Sequence, residues 1–136
     1  MSKIKKGSCS CGEIQFMMEG DFDKFFLCHC RYCQKDTGSA FAANLFSSSA
    51  SITWEKGREK VRVFKLKNTR HIKSFCSLCG SALPSIQNDG ELIVVPAGCL
   101  DTDVQIVPNA HLFVSRKASW EEGLMDIKSY EELPKE

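Results

Sequence analysis

Three cysteines within six residues, Cys28-His29-Cys30-Arg31-Tyr32-Cys33, and two outlying pairs, Cys9-Ser10-Cys11 and Cys76-Ser77-Leu78-Cys79, account for seven of the eight cysteines in this 136-residue chain. Thiols at C-x-C and C-x-x-C spacing converge on a single cation. Each outlying pair is followed at once by a glycine, Gly12 or Gly80, which lets the backbone bend sharply behind the second sulfur. Seven sulfurs divide as four plus three. Cys9, Cys11, Cys76 and Cys79 make a closed tetrahedral set that ties the start of the chain to its middle, and Cys28, Cys30 and Cys33 make a set with one coordination corner to spare. The first is the pattern of a structural staple and the second that of an open metal. A divalent cation on three thiolates binds an incoming thiol as its thiolate or polarises a carbonyl oxygen, and either role suits joining a thiol to an aldehyde.

Other uses of these sulfurs compete with that division. Cys99 or His29 could close the three-cysteine set and turn it into a second staple. His29 neighbours two ligands in sequence, so its side chain is expected to point away from their metal, as a supporting or surface histidine. Cys99, the one isolated cysteine, reads as a small buried thiol. An iron–sulfur cluster could use the same thiolates, although the spacings match neither common ferredoxin pattern. Disulfides would suit a secreted chain. No apolar run follows the basic start Met1-Ser2-Lys3-Ile4-Lys5-Lys6, so the expectation is a cytoplasmic protein with reduced thiols and no membrane span.

Something must carry these sulfurs, and the rest of the chain reads as strands. Polar and apolar residues alternate over 13–19, and further strands are expected over 24–27, 40–46, 52–55, 61–66, 70–75, 82–86, 92–95 and 110–115. Turns are expected at 67–69 and at Asn88-Asp89-Gly90, where Asp-Gly is a strong hairpin signal. Residues 34–39 read as a loop or a single helical turn beyond the three-cysteine set, and 129–136 as short helical turns at most. Phe41, Trp54, Phe113 and Trp120 read as packing or hinge aromatics. The expected architecture is therefore all-β: a basic tail over 1–6, then a single domain of short antiparallel strands over 7–134, with metal knuckles at strand ends. With 43% hydrophobic and 26% charged residues and a net charge of +1, composition is ordinary for a globular protein and gives no electrostatic case for nucleic acid or an anionic membrane.

The cysteine framework, together with Gly7-Ser8 ahead of it, Thr37-Gly38-Ser39, Phe75 and Ser81 around the second knuckle, Ala97-Gly98-Cys99-Leu100-Asp101, His111-Leu112-Phe113 and Lys117-Ala118-Ser119-Trp120, resembles the glutathione-dependent formaldehyde-activating enzyme family, whose domain is shared with centromere-protein-V-like proteins. The resemblance implies a β-tent fold and two zinc ions per chain. One would be structural, on Cys9, Cys11, Cys76 and Cys79, and the other catalytic or labile, on Cys28, Cys30 and Cys33. It also implies carbon–sulfur lyase chemistry, in which S-(hydroxymethyl)glutathione is formed from, or split into, glutathione and formaldehyde. Glutathione carries two carboxylates, so cations or backbone N–H donors are expected near the open zinc. Arg31 and Lys35 beside the set, Gly38 and Ser39 in the turn beyond it, and Arg70 and Lys73 ahead of the second knuckle are the candidates, each weighed against an ordinary solvated charge or loop. The rival reading is a zinc-stapled protein-interaction module without chemistry. The missing basic patch argues against a chromatin role for it.

Overall fold

The computed structural model describes residues 4–134. In chain order its elements are β1 (Ile4–Ser8), β2 (Gln15–Glu19), β3 (Lys24–Cys28), helix α1 (Arg31–Thr37), β4 (Ala42–Ser47), β5 (Ser51–Lys56), β6 (Val61–Lys65), β7 (Ile72–Cys76), β8 (Ala82–Leu83), β9 (Ser85–Gln87), β10 (Leu92–Pro96) and β11 (Ala110–Leu112), joined by loops and single 3₁₀ turns. They form three sheets, in the orders β1-β2-β5, β11-β3-β4-β10-β9 and β6-β7-β8. The protein is mostly β with one short helix. No helix among the described residues is long and apolar enough to cross a membrane.

Alternation decides which faces meet. In β2 the side chains of Phe16 and Met18 are buried while Gln15 and Glu19 are exposed, as a period of two requires of a strand with one face on the core. Ile14, Phe16, Met18, Leu45, Leu83 and Val95, drawn from all three sheets or their edges, are fully buried. Phe16 meets Trp54 of the neighbouring β5 edge to face, with centroids 5.6 Å apart. β1 passes directly over the Phe16 ring at Gly7, where a Cβ would stand 2.2 Å from Phe16 Cζ and 2.6 Å from the Cys99 carbonyl oxygen. Only glycine allows that approach.

Several elements differ from the sequence reading. Residues 4–6, expected as tail, lie in β1 and pair with β2, and residues 1–3 and 135–136 fall outside the described residues. The expected strand over 82–86 is two strands. Pro84 has no N–H to give a ladder, and the chain changes partner there, β8 pairing with β7 and β9 with β10. The last strand ends at Leu112 because Phe113 is left-handed at φ 57°. It runs parallel to β3, with Leu112 opposite Cys28, in a domain whose other described ladders are antiparallel.

The helix is the largest departure. It begins at Arg31, inside the three-cysteine stretch, and not as a turn beyond it. Cys30 caps it by accepting the Cys33 N–H on its Sγ at 3.4 Å, and Gly38, at φ 67°, closes the far end by donating its N–H to the Gln34 carbonyl at 2.8 Å. Both ends are satisfied over only seven residues, so the helix needs no long apolar periodicity to announce it.

Candidate metal centres and the adjoining cavity

The outlying pairs meet. Gly12 donates its N–H to the Cys9 carbonyl at 3.0 Å, Gly80 donates to the Cys76 carbonyl at 2.8 Å, and both glycines are left-handed, at φ 78° and 77°. These two turns face each other and bring the sulfurs of Cys9, Cys11, Cys76 and Cys79 within 4.8 Å of one another. Sulfurs placed tetrahedrally at about 2.3 Å from zinc lie about 3.8 Å apart. The Sγ atoms of Cys9 and Cys11 are 3.5 Å apart and those of Cys11 and Cys76 are 3.9 Å apart. Backbone N–H groups support the buried pair, Ile14 donating to Cys9 Sγ at 3.3 Å and Leu78 to Cys76 Sγ at 3.4 Å.

The sulfurs are unequal. The Ser81 hydroxyl, with the amides of Ser81 and Cys11, holds the Cys79 thiol down at about 5. At Cys11 the Glu13 N–H pulls the other way, yet burial and the three neighbouring sulfurs push the thiol up to about 11. Four thiolates this close need a cation between them to ionise together, so spacing and chemistry both fit a tetrahedral metal.

The second set draws one sulfur from the end of β3, one from the helix cap and one from the first helical turn: Cys28, Cys30 and Cys33. Their sulfurs also lie within 4.8 Å of one another, and among the described residues no fourth histidine, cysteine or carboxylate joins them. Burial pushes Cys28 and Cys33 above the ordinary thiol value, and at Cys33 the two neighbouring sulfurs add to it. Cys30 resists burial and falls below that value, because N–H groups of Cys33 and Tyr32 and the adjoining thiols stabilise its thiolate. The donor set suits a soft or borderline divalent cation with a corner left open.

Neither alternative closing ligand is in place. His29 is only 2% exposed, and both of its ring nitrogens are taken: Nδ1 lies 3.0 Å from a Glu121 carboxylate oxygen and Nε2 2.8 Å from His111 Nδ1. It is a supporting residue and not a surface one. Cys99 is buried and its sulfur belongs to neither set, its thiol pushed up to about 12 by burial and by Asp101. All eight cysteines are free, so no disulfide takes the place of a metal knuckle.

Cys28 and Cys33 open onto a cavity of about 350 Å³, with Asp36, Arg70, His71 and Lys73 also in its wall. Cys33 and Asp36 stand three apart on α1 and so share one helix face. The residues expected near a substrate divide between the cavity wall and its outside. Arg31 is exposed and donates to Gln34 Oε1 at 3.1 Å, and Lys35, Gly38 and Ser39 are exposed outside the cavity wall. Arg70 and Lys73, the other expected cations, stand in the cavity wall because the β6–β7 hairpin folds its turn against α1. Lys73 Nζ donates to the Asp36 carbonyl at 2.7 Å and pairs with Asp36 Oδ1 at 3.1 Å, while His71 Nε2 meets Asp36 Oδ2 at 3.0 Å. Sequence reasoning named Arg70 and Lys73 but not Asp36 and His71, which only the tertiary fold brings to the cavity wall, nor the bonds of His111 and Glu121 to His29. The aromatic expectation splits: Phe41 packs against His29 at 5.1 Å and Trp54 against Phe16, whereas Phe113 and Trp120 are 60% and 59% exposed and are not core.

A family model described as glutathione-dependent formaldehyde-activating enzyme matches residues 4–116. No curated protein matches the chain. The crystal structure of a Rhodobacter sphaeroides protein is similar, with a TM-score of 0.56 and 21% sequence identity, over 78% of this chain and 98% of that one. At that identity the likeness speaks for the fold.

Proposed function

This chain belongs to the glutathione-dependent formaldehyde-activating enzyme family, and on that premise we propose that it is a zinc-dependent carbon–sulfur lyase that joins glutathione, or a related small thiol, to formaldehyde and splits the resulting S-(hydroxymethyl) adduct. The observation that carries this reading is that a set of three sulfurs, without a fourth ligand among the described residues, has two of its members, Cys28 and Cys33, in the wall of a cavity large enough to admit a small molecule.

Cys28, Cys30 and Cys33 would hold the catalytic zinc, and Cys9, Cys11, Cys76 and Cys79 the structural one. Bound by three thiolates, zinc supplies a position that takes a thiol as its thiolate or draws charge onto a carbonyl oxygen. The protein's own part is to place the partner. Arg70 makes no ion pair or hydrogen bond among the described residues and stands in the cavity wall, so it is assigned to a substrate carboxylate, in preference to Arg31, Lys35, Gly38 and Ser39 on the outer side of the helix. Eight free thiols suit a reducing compartment, and the cytoplasm is the setting assigned to it.

The test is metal content with lability. Two zinc ions per chain are expected, one removed readily by a chelator with loss of turnover, and two equally inert ions would defeat the reading. One observation favours the rival, an interaction module without chemistry: the C-terminal segment exposes Trp120, Met125, Ile127 and Leu133, at 59%, 95%, 64% and 84%. Titration with glutathione separates the two, since only the enzyme binds it beside Cys28, Cys30 and Cys33.

A further inference from the structure

We propose that His71 is the proton-transfer residue of this cavity, set by Asp36 so that its Nδ1 takes the proton of an incoming thiol and hands it to the aldehyde oxygen. The inference rests on the thiol–aldehyde reading above.

Position comes first. His71 lines the same cavity as Cys28 and Cys33. Its backbone is fixed at both groups: its N–H donates to Thr69 Oγ1 at 3.1 Å, and its carbonyl accepts the Leu66 N–H at 3.0 Å. The ring is held on α1 by Asp36 and lies 6.0 Å from the Tyr32 ring. By contrast His29, the histidine nearest the sulfurs in sequence, has no nitrogen to spare.

The hydrogen-bond pattern then fixes the tautomer. A carboxylate only accepts, so the hydrogen on the Asp36 side sits on Nε2 and the lone pair of the neutral ring is on Nδ1. Nδ1 makes no hydrogen bond among the described residues, and no buried side-chain nitrogen there goes without a partner. It therefore keeps accessible surface, in a residue that lines the cavity. Asp36 and Lys73 form an ion pair with no net charge, at 3.1 Å. A proton arriving on His71 thus meets a carboxylate on one side and no uncompensated cation from that pair. Of the other charged or titratable groups, Tyr32 packs its ring against His71, and Arg70, Cys28 and Cys33 share the cavity wall with it.

The step balances with the proton alone in transit. The S–H bond of the thiol breaks, its electron pair stays on sulfur and its proton goes to Nδ1. The sulfur pair forms the C–S bond to the aldehyde carbon, the carbonyl π pair moves to oxygen, and that oxygen takes the proton back from Nδ1. Splitting the adduct runs the same transfers in reverse. A positioned base of this kind contributes on the order of 10²–10⁴ in rate.

The test counts protons on the zinc-loaded protein. Glutathione is titrated calorimetrically near neutral pH in buffers of different ionisation enthalpy, and ¹⁵N spectra of His71 are recorded alongside. Wild type should retain the thiol proton, releasing close to none to the buffer while Nδ1 becomes protonated, whereas His71→Gln should release close to one per thiol bound. Asp36→Asn, with unchanged zinc content and circular dichroism, should redistribute the His71 tautomers and share the defect. Exchange of glutathione into its formaldehyde adduct should slow by about 100-fold in His71→Gln. Equal proton release by wild type and His71→Gln overturns this inference alone. A wild type that gives no heat with glutathione and an unchanged His71 spectrum overturns it together with the reading on which it rests.

Discussion

The His29 ring nitrogen Nδ1 donates to a carboxylate oxygen of Glu121 at 3.0 Å, joining two residues 92 positions apart in sequence. The backbone of His29 lies between two sulfurs of the three-cysteine set, and Glu121 also takes the Ala118 N–H at 3.0 Å. The C-terminal segment is thereby tied to the metal loop. Gln34 adds to the clamp by donating to the carbonyls of His29 and Arg116, at 2.7 and 2.9 Å.

Removing that carboxylate should therefore loosen the loop without touching a sulfur. Glu121→Ala leaves a buried ring nitrogen unpaired and should cost about 1–3 kcal/mol, read by urea unfolding of the zinc-loaded protein. The acid limb carries a second signature. Burial opposes ionisation of Glu121, but the bonds from His29 and Ala118 outweigh it and hold the carboxyl below its ordinary value. Its contribution is thus present above the unfolded carboxyl pKa of about 4.3 and is lost as pH falls through the lower folded value. Wild type should lose stability across that interval more steeply than Glu121→Gln. Parallel curves would refute the linkage.

Two glycines separate steric from conformational demand. Gly7→Ala forces a methyl to 2.2 Å from the Phe16 ring and should lower stability by about 1–3 kcal/mol or more. At Gly12 a methyl meets nothing within 4 Å, and the strain comes only from φ 78°, so Gly12→Ala should cost about 1–2 kcal/mol. Thermal melts of both variants at equal zinc content check the order, and Gly12→Ala proving the more damaging would contradict it.

How much of this was legible in the chain depends on how local each signal is. The knuckles were readable because C-x-C and C-x-x-C followed by glycine encode their own turn, and the four-plus-three grouping of Cys9, Cys11, Cys76 and Cys79 against Cys28, Cys30 and Cys33 is the grouping that the folded sulfurs adopt. Alternation in β2 was readable for the same reason. Helix α1 was not, because two caps stabilise it and no apolar stripe does. The partnerships Asp36–His71 and Glu121–His29–His111 were out of reach, since the first depends on a hairpin folding against α1 and the second on the C-terminal third of the chain returning to the residue after β3. Of the four cations that the sequence offers for a substrate, Arg31, Lys35, Arg70 and Lys73, only the last two stand in the cavity wall, and the sequence could not tell the pairs apart because that depends on which side of α1 the hairpin folds against.

Metal removal should unfold one set and spare the other. Cys9 and Cys11 follow β1, while Cys76 ends β7, so a cation held by the four sulfurs would bridge two sheets, and stripping it would delete a tie whose free energy in small zinc domains is about 10–16 kcal/mol. Cys79→Ser should collapse the far-ultraviolet spectrum. Cys30→Ser should leave it intact, because Cys28, Cys30 and Cys33 are contiguous with one strand–helix junction. A Cys30→Ser chain that unfolds as Cys79→Ser does would mean that both sets are staples.

Arg70 offers a prediction that divides binding from chemistry. It lines the cavity and makes no hydrogen bond or ion pair among the described residues. An arginine that holds a substrate carboxylate through a charge-assisted bond contributes about 1.5–3 kcal/mol to binding. Because the carboxylate stays remote from the sulfur being joined, that contribution is alike in the ground and transition states, so its loss appears in KM. Arg70→Ala should accordingly raise KM for glutathione by about 10-fold or more while kcat holds. A small thiol without carboxylates should show no difference between wild type and variant. If that thiol suffers as much as glutathione does, Arg70 shapes the cavity and holds no anion.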